Sequence, residues 1–233
     1  MKYTGQETLG SIVAEFPGAA NHFKLHGIDF CCGGNRVLAD VVAEMNLDTA
    51  SVVSALNHGY ETAIAKQGKT SNTDWRQEPL TSLIDHIVDH HHDYLHREMP
   101  AISELLLKIL RVHGSNHQEL TRVHKLFNAL RTELEAHLIK EEELLYPLIK
   151  EYTTLPAVEL FERLIIIMNE IETEHLGAGD ILKELRAVTN QFTVPADACA
   201  SYQLTYRKLV ELESDVFQHI HLENNILHPR VRN

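Results

Sequence analysis

Two segments of the chain carry one constellation: His137-Leu138-Ile139-Lys140-Glu141 and His219-Ile220-His221-Leu222-Glu223 each set an imidazole and a carboxylate four residues apart. On a helix that spacing puts both groups on one face, a turn apart. Both segments lie in helical periodicity. Leu209, Leu212, Val216, His219, Glu223 and Ile226 follow at steps of three and four, and so do Leu126, Leu130, Leu134, His137, Glu141, Leu144 and Leu148. The polar groups therefore fall on apolar stripes. A buried carboxylate must be paired, metal-bound or neutralised, and a histidine one turn before each of two such carboxylates points to chelation of metal. The chain must fold so that helical stripes face a shared core.

Periodic runs rich in Leu, Ala and Glu, with sparse strand and turn punctuation, make the 233 residues all-α, with material for one large domain or two small ones. A net charge of −12 with no basic stripe argues against a nucleic-acid or anionic-membrane surface. Met1 to Gly5 lead into no apolar signal region, and no run of about eighteen apolar residues occurs, so a cytoplasmic protein with no membrane span is expected. Three cysteines, two of them adjacent, make no disulfide framework and are consistent with a reducing compartment. Histidine is the unusual residue: of sixteen, thirteen lie between His86 and His228.

Residues 1–66 read as a small N-terminal helical domain. Thr8 to Phe16 stops at Pro17-Gly18 and Ala19 to His26 stops at Gly27; Asn35 is placed to cap a helix to about Met45, and Asp48 another to about Ala65. Between them lies the loop Ile28-Asp29-Phe30-Cys31-Cys32-Gly33-Gly34. Adjacent cysteines, with Cα atoms about 3.8 Å apart, are a poor disulfide pair. Cys31 and Cys32 are either two small core residues or a redox-active or iron-relaying thiol pair, with Arg36 and His26 as the charges that would favour thiolate. Cys199 is expected on a helix, in a structural role. Residues 67–77 form the linker, Gly68 to Asp74 being polar and aperiodic.

Residues 78–233 carry four long helical patterns: from Pro79 to about Val112 with a kink at Pro100, from about Ser115 to Tyr152, from Pro156 to about Thr189, and from about Pro195 to His228. With short connections these form an antiparallel four-helix bundle. The first and third patterns add an inward histidine each, His86 and His175. Four imidazoles and two carboxylates suit two metal ions about 3.5–4 Å apart, bridged by the carboxylates. Imidazole and carboxylate without thiolate favour iron over manganese or zinc. His90, His91 and His92 step about 100° apart around a helix and are expected to be mostly solvated. His92/His96 and His113/His117 have chelating spacing but lack apolar flanks. Glu133, a turn before His137, and Glu174, beside His175, are candidates for lining an access path or orienting ligands.

Leu83-Ile84-Asp85-His86-Ile87, His137 to Glu142, Glu172-Thr173-Glu174-His175 and His219 to Leu227 together resemble the hemerythrin-like di-iron domain, and Asp29 to Gly34 resembles the short ScdA-type N-terminal domain. In this order over essentially the whole chain, they resemble the RIC family of iron-sulfur cluster repair di-iron proteins. The resemblance implies a non-haem centre of two iron ions, oxo- and carboxylate-bridged, with ligands at His86, His137, Glu141, His175, His219 and Glu223 and both glutamates bridging. It also implies repair of iron-sulfur clusters damaged by oxidative or nitrosative stress. Damaged iron-sulfur proteins would then be the partners, nitric oxide or dioxygen the small ligands, and a homodimer one permitted assembly. His221 within the last motif and His228 before Pro229 depart from the family pattern, and neither removes a ligand. The rival readings are a di-iron nitric oxide reductase and a hemerythrin-like dioxygen- or nitric-oxide-binding module; six protein ligands rather than seven leave more room for exchange than storage needs.

Overall fold

The computed structural model describes residues 1–66 and 73–233, and most of the expected Gly68–Asp74 linker lies outside them. Among the described residues there are helices and no strand, only an isolated antiparallel bridge between Thr8 and Val37. The chain divides into two compact units: residues 1–83 with 218–233, and residues 84–217.

In the first unit, α1 (Leu9–Glu15), α2 (Ala19–Leu25) and α3 (Leu38–Glu44) are seven residues each because turn residues interrupt them, and α4 (Thr49–Lys66) is the longer fourth helix. The Thr8 hydroxyl accepts the Ser11 N–H at the start of α1, and the Asp48 carboxylate accepts the Ser51 N–H at the start of α4. Asn35 does not cap α3, whose N-cap is Val37. Residues 34–36 spend their backbone on α1 instead: Gly10 N–H donates to Gly34 O at 2.7 Å and Leu9 N–H to Arg36 O at 3.0 Å. Tyr3, Leu9, Ile12, Phe23, Phe30, Leu38 and Leu56 form the buried core. Buried Asn57 fastens the N-terminus, accepting from Tyr3 N–H and donating to Tyr3 O, both at 2.9 Å.

The chain's last residues pack in this same unit. The Asn225 side chain donates to Cys31 O at 3.0 Å and to Phe30 O at 3.4 Å, and Arg230 donates to Trp75 O at 2.7 Å. A Cβ at Gly10 or Gly34 would overlap the Asn225 amide, so glycine at both positions is what admits it.

The second unit is built on α6 (Asp93–His113), α7 (Glu119–Lys140), α9 (Val158–Val188) and most of α10 (Ala200–Leu222). Neighbours run antiparallel: Arg122 near the start of α7 pairs with Glu184 near the end of α9, while Lys140 at the end of α7 pairs with Glu174. On the other side, Glu98 and His91 meet Lys208 and Asp215 of α10. Leu106, Ile109, Val123, Leu130, Leu164, Met168, Leu182 and Leu212 fill the interior. Pro100 lies inside α6, as its place in the sequence requires. The helices start later than expected, at Glu119 rather than Ser115 and at Ala200 rather than Pro195, because residues 114–118 and 189–199 are spent on turns. In the second of these, Asn190, Gln191 and Phe192 all take positive φ (48°, 60° and 55°), a run disfavoured by about 1–2 kcal/mol per residue. Buried Phe192 holds it, with its ring edge-on to Tyr206 and under the Arg186 guanidinium.

Three π-helical turns interrupt what the sequence presents as continuous helices: Ile87–His92, between α5 (Leu80–His86) and α6; Glu141–Leu145, between α7 and α8 (Tyr146–Thr154); and Glu223–Leu227, between α10 and α11 (His228–Arg232). Two of them begin on the motif glutamates. Tyr146 N–H donates to Glu141 O and His228 N–H to Glu223 O, five residues back in each case. Six residues beyond each glutamate stands a proline, Pro147 and Pro229. Proline lacks an N–H for the fourth residue back and crowds its carbonyl, and the wider turn relieves that clash.

Candidate metal centre

His137 ends α7 with both ring nitrogens engaged. Its Nδ1 lies 2.8 Å from Glu174 Oε2, and its Nε2 lies 3.1 Å from Glu141 Oε1 and 3.1 Å from His175 Nε2. His175 Nε2 is 4.0 Å from Glu141 Oε1. Each of the three residues offers a ligand atom within 4.8 Å of the others, and all three are buried, Glu141 completely. Two nitrogens bound about 2.1 Å from one ion lie roughly 3.0–3.4 Å apart, so the facing Nε2 atoms have the separation of ligands to a common cation. Two buried imidazole nitrogens beside one buried carboxylate fit a divalent metal.

Glu174 orients His137, and the Lys140 ammonium holds Glu174 in turn. The hydrogen bond from His137, and then that from Lys140, lower the Glu174 carboxyl to about 2 against the opposing effect of burial. Glu174 thus stays ionised and fixes the His137 proton on Nδ1, leaving Nε2 as the nitrogen able to ligate a metal. Glu174 and exposed Glu133 both line a pocket of about 260 Å³ whose floor includes His137 and His175.

His91 and His92 are buried, contrary to the expectation that the triplet is mostly solvated. His92 Nε2 lies 3.3 Å from Glu141 Oε2, its Nδ1 lies 2.7 Å from Glu142 Oε1, and its ring stacks on Tyr146. His91 Nδ1 lies 2.9 Å from Asp215. The reason is the π turn at Ile87–His92, which widens the helix and rotates residues that ordinary 100° steps would send outward. His86 is half-buried just before that turn, its ring 4.1 Å from that of His90. Burial, then His90 and His91, depress its pKa to about 4, so it is a neutral imidazole, the form that ligates metal.

In the unit that holds the C-terminus, His219 Nε2 lies 3.2 Å from Glu223 Oε2 across one helical turn, both side chains fully buried. His221 is buried as well, and burial lowers its pKa to about 4. Its ring packs on Phe30, and its Nδ1 is 3.3 Å from Asn225 Nδ2.

Cys31 is buried and Cys32 half-buried, and neither is in a disulfide. Of the two cations expected to favour thiolate there, Arg36 pairs with a carboxylate instead, that of Glu44 at 2.5 Å. The group beside Cys31 is the Asp29 carboxylate at 3.3 Å. The hydrogen-bonded Cys32, burial and Asp29 together push the Cys31 thiol well above the usual range. Cys199 is not within a helix; it is exposed and immediately precedes α10, its sulfur 3.2 Å from His113 Nε2.

The helical fold and the buried imidazole-carboxylate cluster define a cation-binding protein of the hemerythrin type. The hemerythrin HHE cation binding domain matches residues 83–231, which include both His-x-x-x-Glu motifs, and a domain of unknown function (DUF542, ScdA_N) matches residues 5–60. The iron-sulfur cluster repair protein YtfE of Escherichia coli O81 is 34% identical over 230 residues, 99% of this chain and 98% of that one. Those of Escherichia fergusonii (33% over 230 residues, 99% and 98%) and Citrobacter koseri (32% over 224 residues, 96% of each) are similarly related. The chain belongs to the family of YtfE iron-sulfur cluster repair proteins. No helix among the described residues is long and apolar enough to cross a membrane.

Proposed function

We propose that this chain repairs damaged iron-sulfur clusters, acting in the cytoplasm on iron-sulfur proteins, and that His86, His137, Glu141, His175, His219 and Glu223 hold two iron ions. The observation that carries this reading is the buried convergence of His137 Nε2, His175 Nε2 and Glu141. A second set with the same His-x-x-x-Glu spacing and the same following π turn lies at His219 and Glu223. Both sets fall within the span of one cation-binding domain. Iron held by neutral imidazoles and carboxylates exchanges readily, because protonation of those ligands competes with the metal, and it supplies open positions for nitric oxide or dioxygen. The chain's own contributions are to keep His137 in the ligating tautomer through Glu174, and to offer a small pocket against His137 and His175.

Metal analysis and Mössbauer spectroscopy of anaerobically purified protein, beside a Glu141→Ala/Glu223→Ala variant, test the centre. Two coupled irons per chain, lost in the variant, are expected. One mononuclear metal, or a content indifferent to the two glutamates, overturns the reading. Reactivation of a cluster-damaged dehydratase by the iron-loaded protein then separates repair from its rivals. Catalytic nitrous oxide formation without reactivation, or stable reversible oxygenation, would replace repair with reduction or with gas binding.

A further inference from the structure

The loop between α2 and α3 brings together three potential ligand atoms, none of them an imidazole nitrogen. Cys31 Sγ is 3.9 Å from Cys32 Sγ and 3.3 Å from Asp29 Oδ1, and the three residues meet the distance requirement for a common cation. A disulfide would bring the sulfurs to about 2.05 Å. A tetrahedral ion with bonds of about 2.3 Å to sulfur and 2.0–2.2 Å to oxygen spaces two sulfurs about 3.8 Å apart and sulfur from oxygen about 3.5 Å. The observed separations match the edges of that tetrahedron within a few tenths of an ångström.

The loop is also built to hold its shape. Asp29 Oδ1 accepts the N–H groups of Cys32 at 3.0 Å and Gly33 at 3.3 Å, which fixes the carboxylate beside the sulfurs. From the other side, Asn225 grips the carbonyls of Phe30 and Cys31. Cys32 is only half-buried, so the cluster is in reach of solvent, as an exchangeable ion requires. Cys31, with the Asp29 carboxylate beside its thiol, is poorly set for nucleophilic chemistry, because the negative neighbour disfavours thiolate. The same arrangement suits a divalent cation, which offsets two of the three negative charges of its ligands on displacing the thiol protons.

We infer that Asp29, Cys31 and Cys32 form a second metal site, separate from the histidine-carboxylate set, which takes one divalent ion of the iron-to-zinc series in three-ligand coordination with a fourth position open. It rests on the reading of this chain as an iron-handling protein and adds a carboxylate third ligand to the thiol pair. Such a site would stage an ion for transfer to an acceptor thiolate entering the open position.

Cobalt(II) added anaerobically to the reduced full-length protein is the probe. Thiolate-bound cobalt gives an intense near-ultraviolet sulfur-to-metal charge-transfer band, whereas cobalt on imidazole and carboxylate gives none, so failure here is distinct from failure of the histidine centre. The expected result is that band, saturating at one ion per chain, abolished in Cys31→Ser/Cys32→Ser, and requiring at least tenfold more cobalt in Asp29→Asn. Asparagine keeps an oxygen for the Cys32 and Gly33 N–H groups, so the variant removes charge and not loop geometry; circular dichroism checks its helix content. Absence of the band in the wild-type protein overturns the site whatever the variants do. An unchanged titration in well-folded Asp29→Asn overturns the three-ligand assignment.

Discussion

Asn225 Nδ2 donates to the carbonyl of Cys31 at 3.0 Å, two residues after Glu223. One short π turn thus carries both a proposed metal-bridging carboxylate and the side chain that holds the cysteine loop. Because Gly34 is what gives Asn225 its room, Gly34 and Asn225 should be energetically coupled. Asn225→Ala should cost about 1–3 kcal/mol, the range for leaving a backbone acceptor without its donor. Gly34→Ala should cost clearly less in the Asn225→Ala background than alone, by 1 kcal/mol or more. Urea denaturation of the four proteins measures the coupling, and additive effects would contradict the fit described.

In the proposed centre Glu174 acts on metal through His137, so Glu174→Gln should weaken metal binding about 10–100-fold without removing a ligand. Competition against a chelator of known affinity reads the change. Lys140→Met should have a smaller effect in the same direction, since Lys140 touches only Glu174 of this pair. Equal affinity in the wild-type and Glu174→Gln proteins would remove Glu174 from the centre.

Glu213 is almost wholly buried in α10 and is met by the Arg186 guanidinium, which also covers Phe192. Arg186→Ala leaves a buried carboxylate without its cation, at a cost of about 3–5 kcal/mol. Replacing both, Arg186→Met with Glu213→Leu, should restore most of the loss, because the penalty comes from the stranded charge and not from the absence of the pair. A double variant as unstable as Arg186→Ala, judged by chemical denaturation, would show that the Phe192 turn and not the ion pair is what Arg186 sustains.

Cys199 should be the first thiol to be alkylated. The Tyr202 backbone N–H, then His113, lower its pKa from the usual 9.0 to about 7, whereas the Cys31 thiol is shifted upward. A lowered pKa means thiolate is present above about pH 7 and lost below it, so iodoacetamide labelling of Cys199, followed by mass spectrometry, should have its half-point near pH 7. His113→Ala should move that half-point upward. A wild-type half-point near 9 would refute the assignment.

The all-α class, the helical faces and the two His-x-x-x-Glu sets are legible in the sequence because each depends on spacing within one helix, which period 3.6 dictates. The tyrosine-proline and histidine-proline endings that accompany the two π turns are also present in the sequence, at Tyr146-Pro147 and His228-Pro229, and serve as the local signal for them. What happens at His91 and His92 is not legible, since a single π turn resets which way every later side chain points, and no 100° projection anticipates it. Nor could charge along the chain reveal the surroundings of Cys31. Arg36 is five residues away yet pairs with Glu44, while Asp29, two residues away, turns back onto the sulfur. Helical periodicity is a local property and was fixed by the residues themselves; partners in loops, and the phase of a helix beyond an irregular turn, are settled only when distant segments such as Asn225 pack into place.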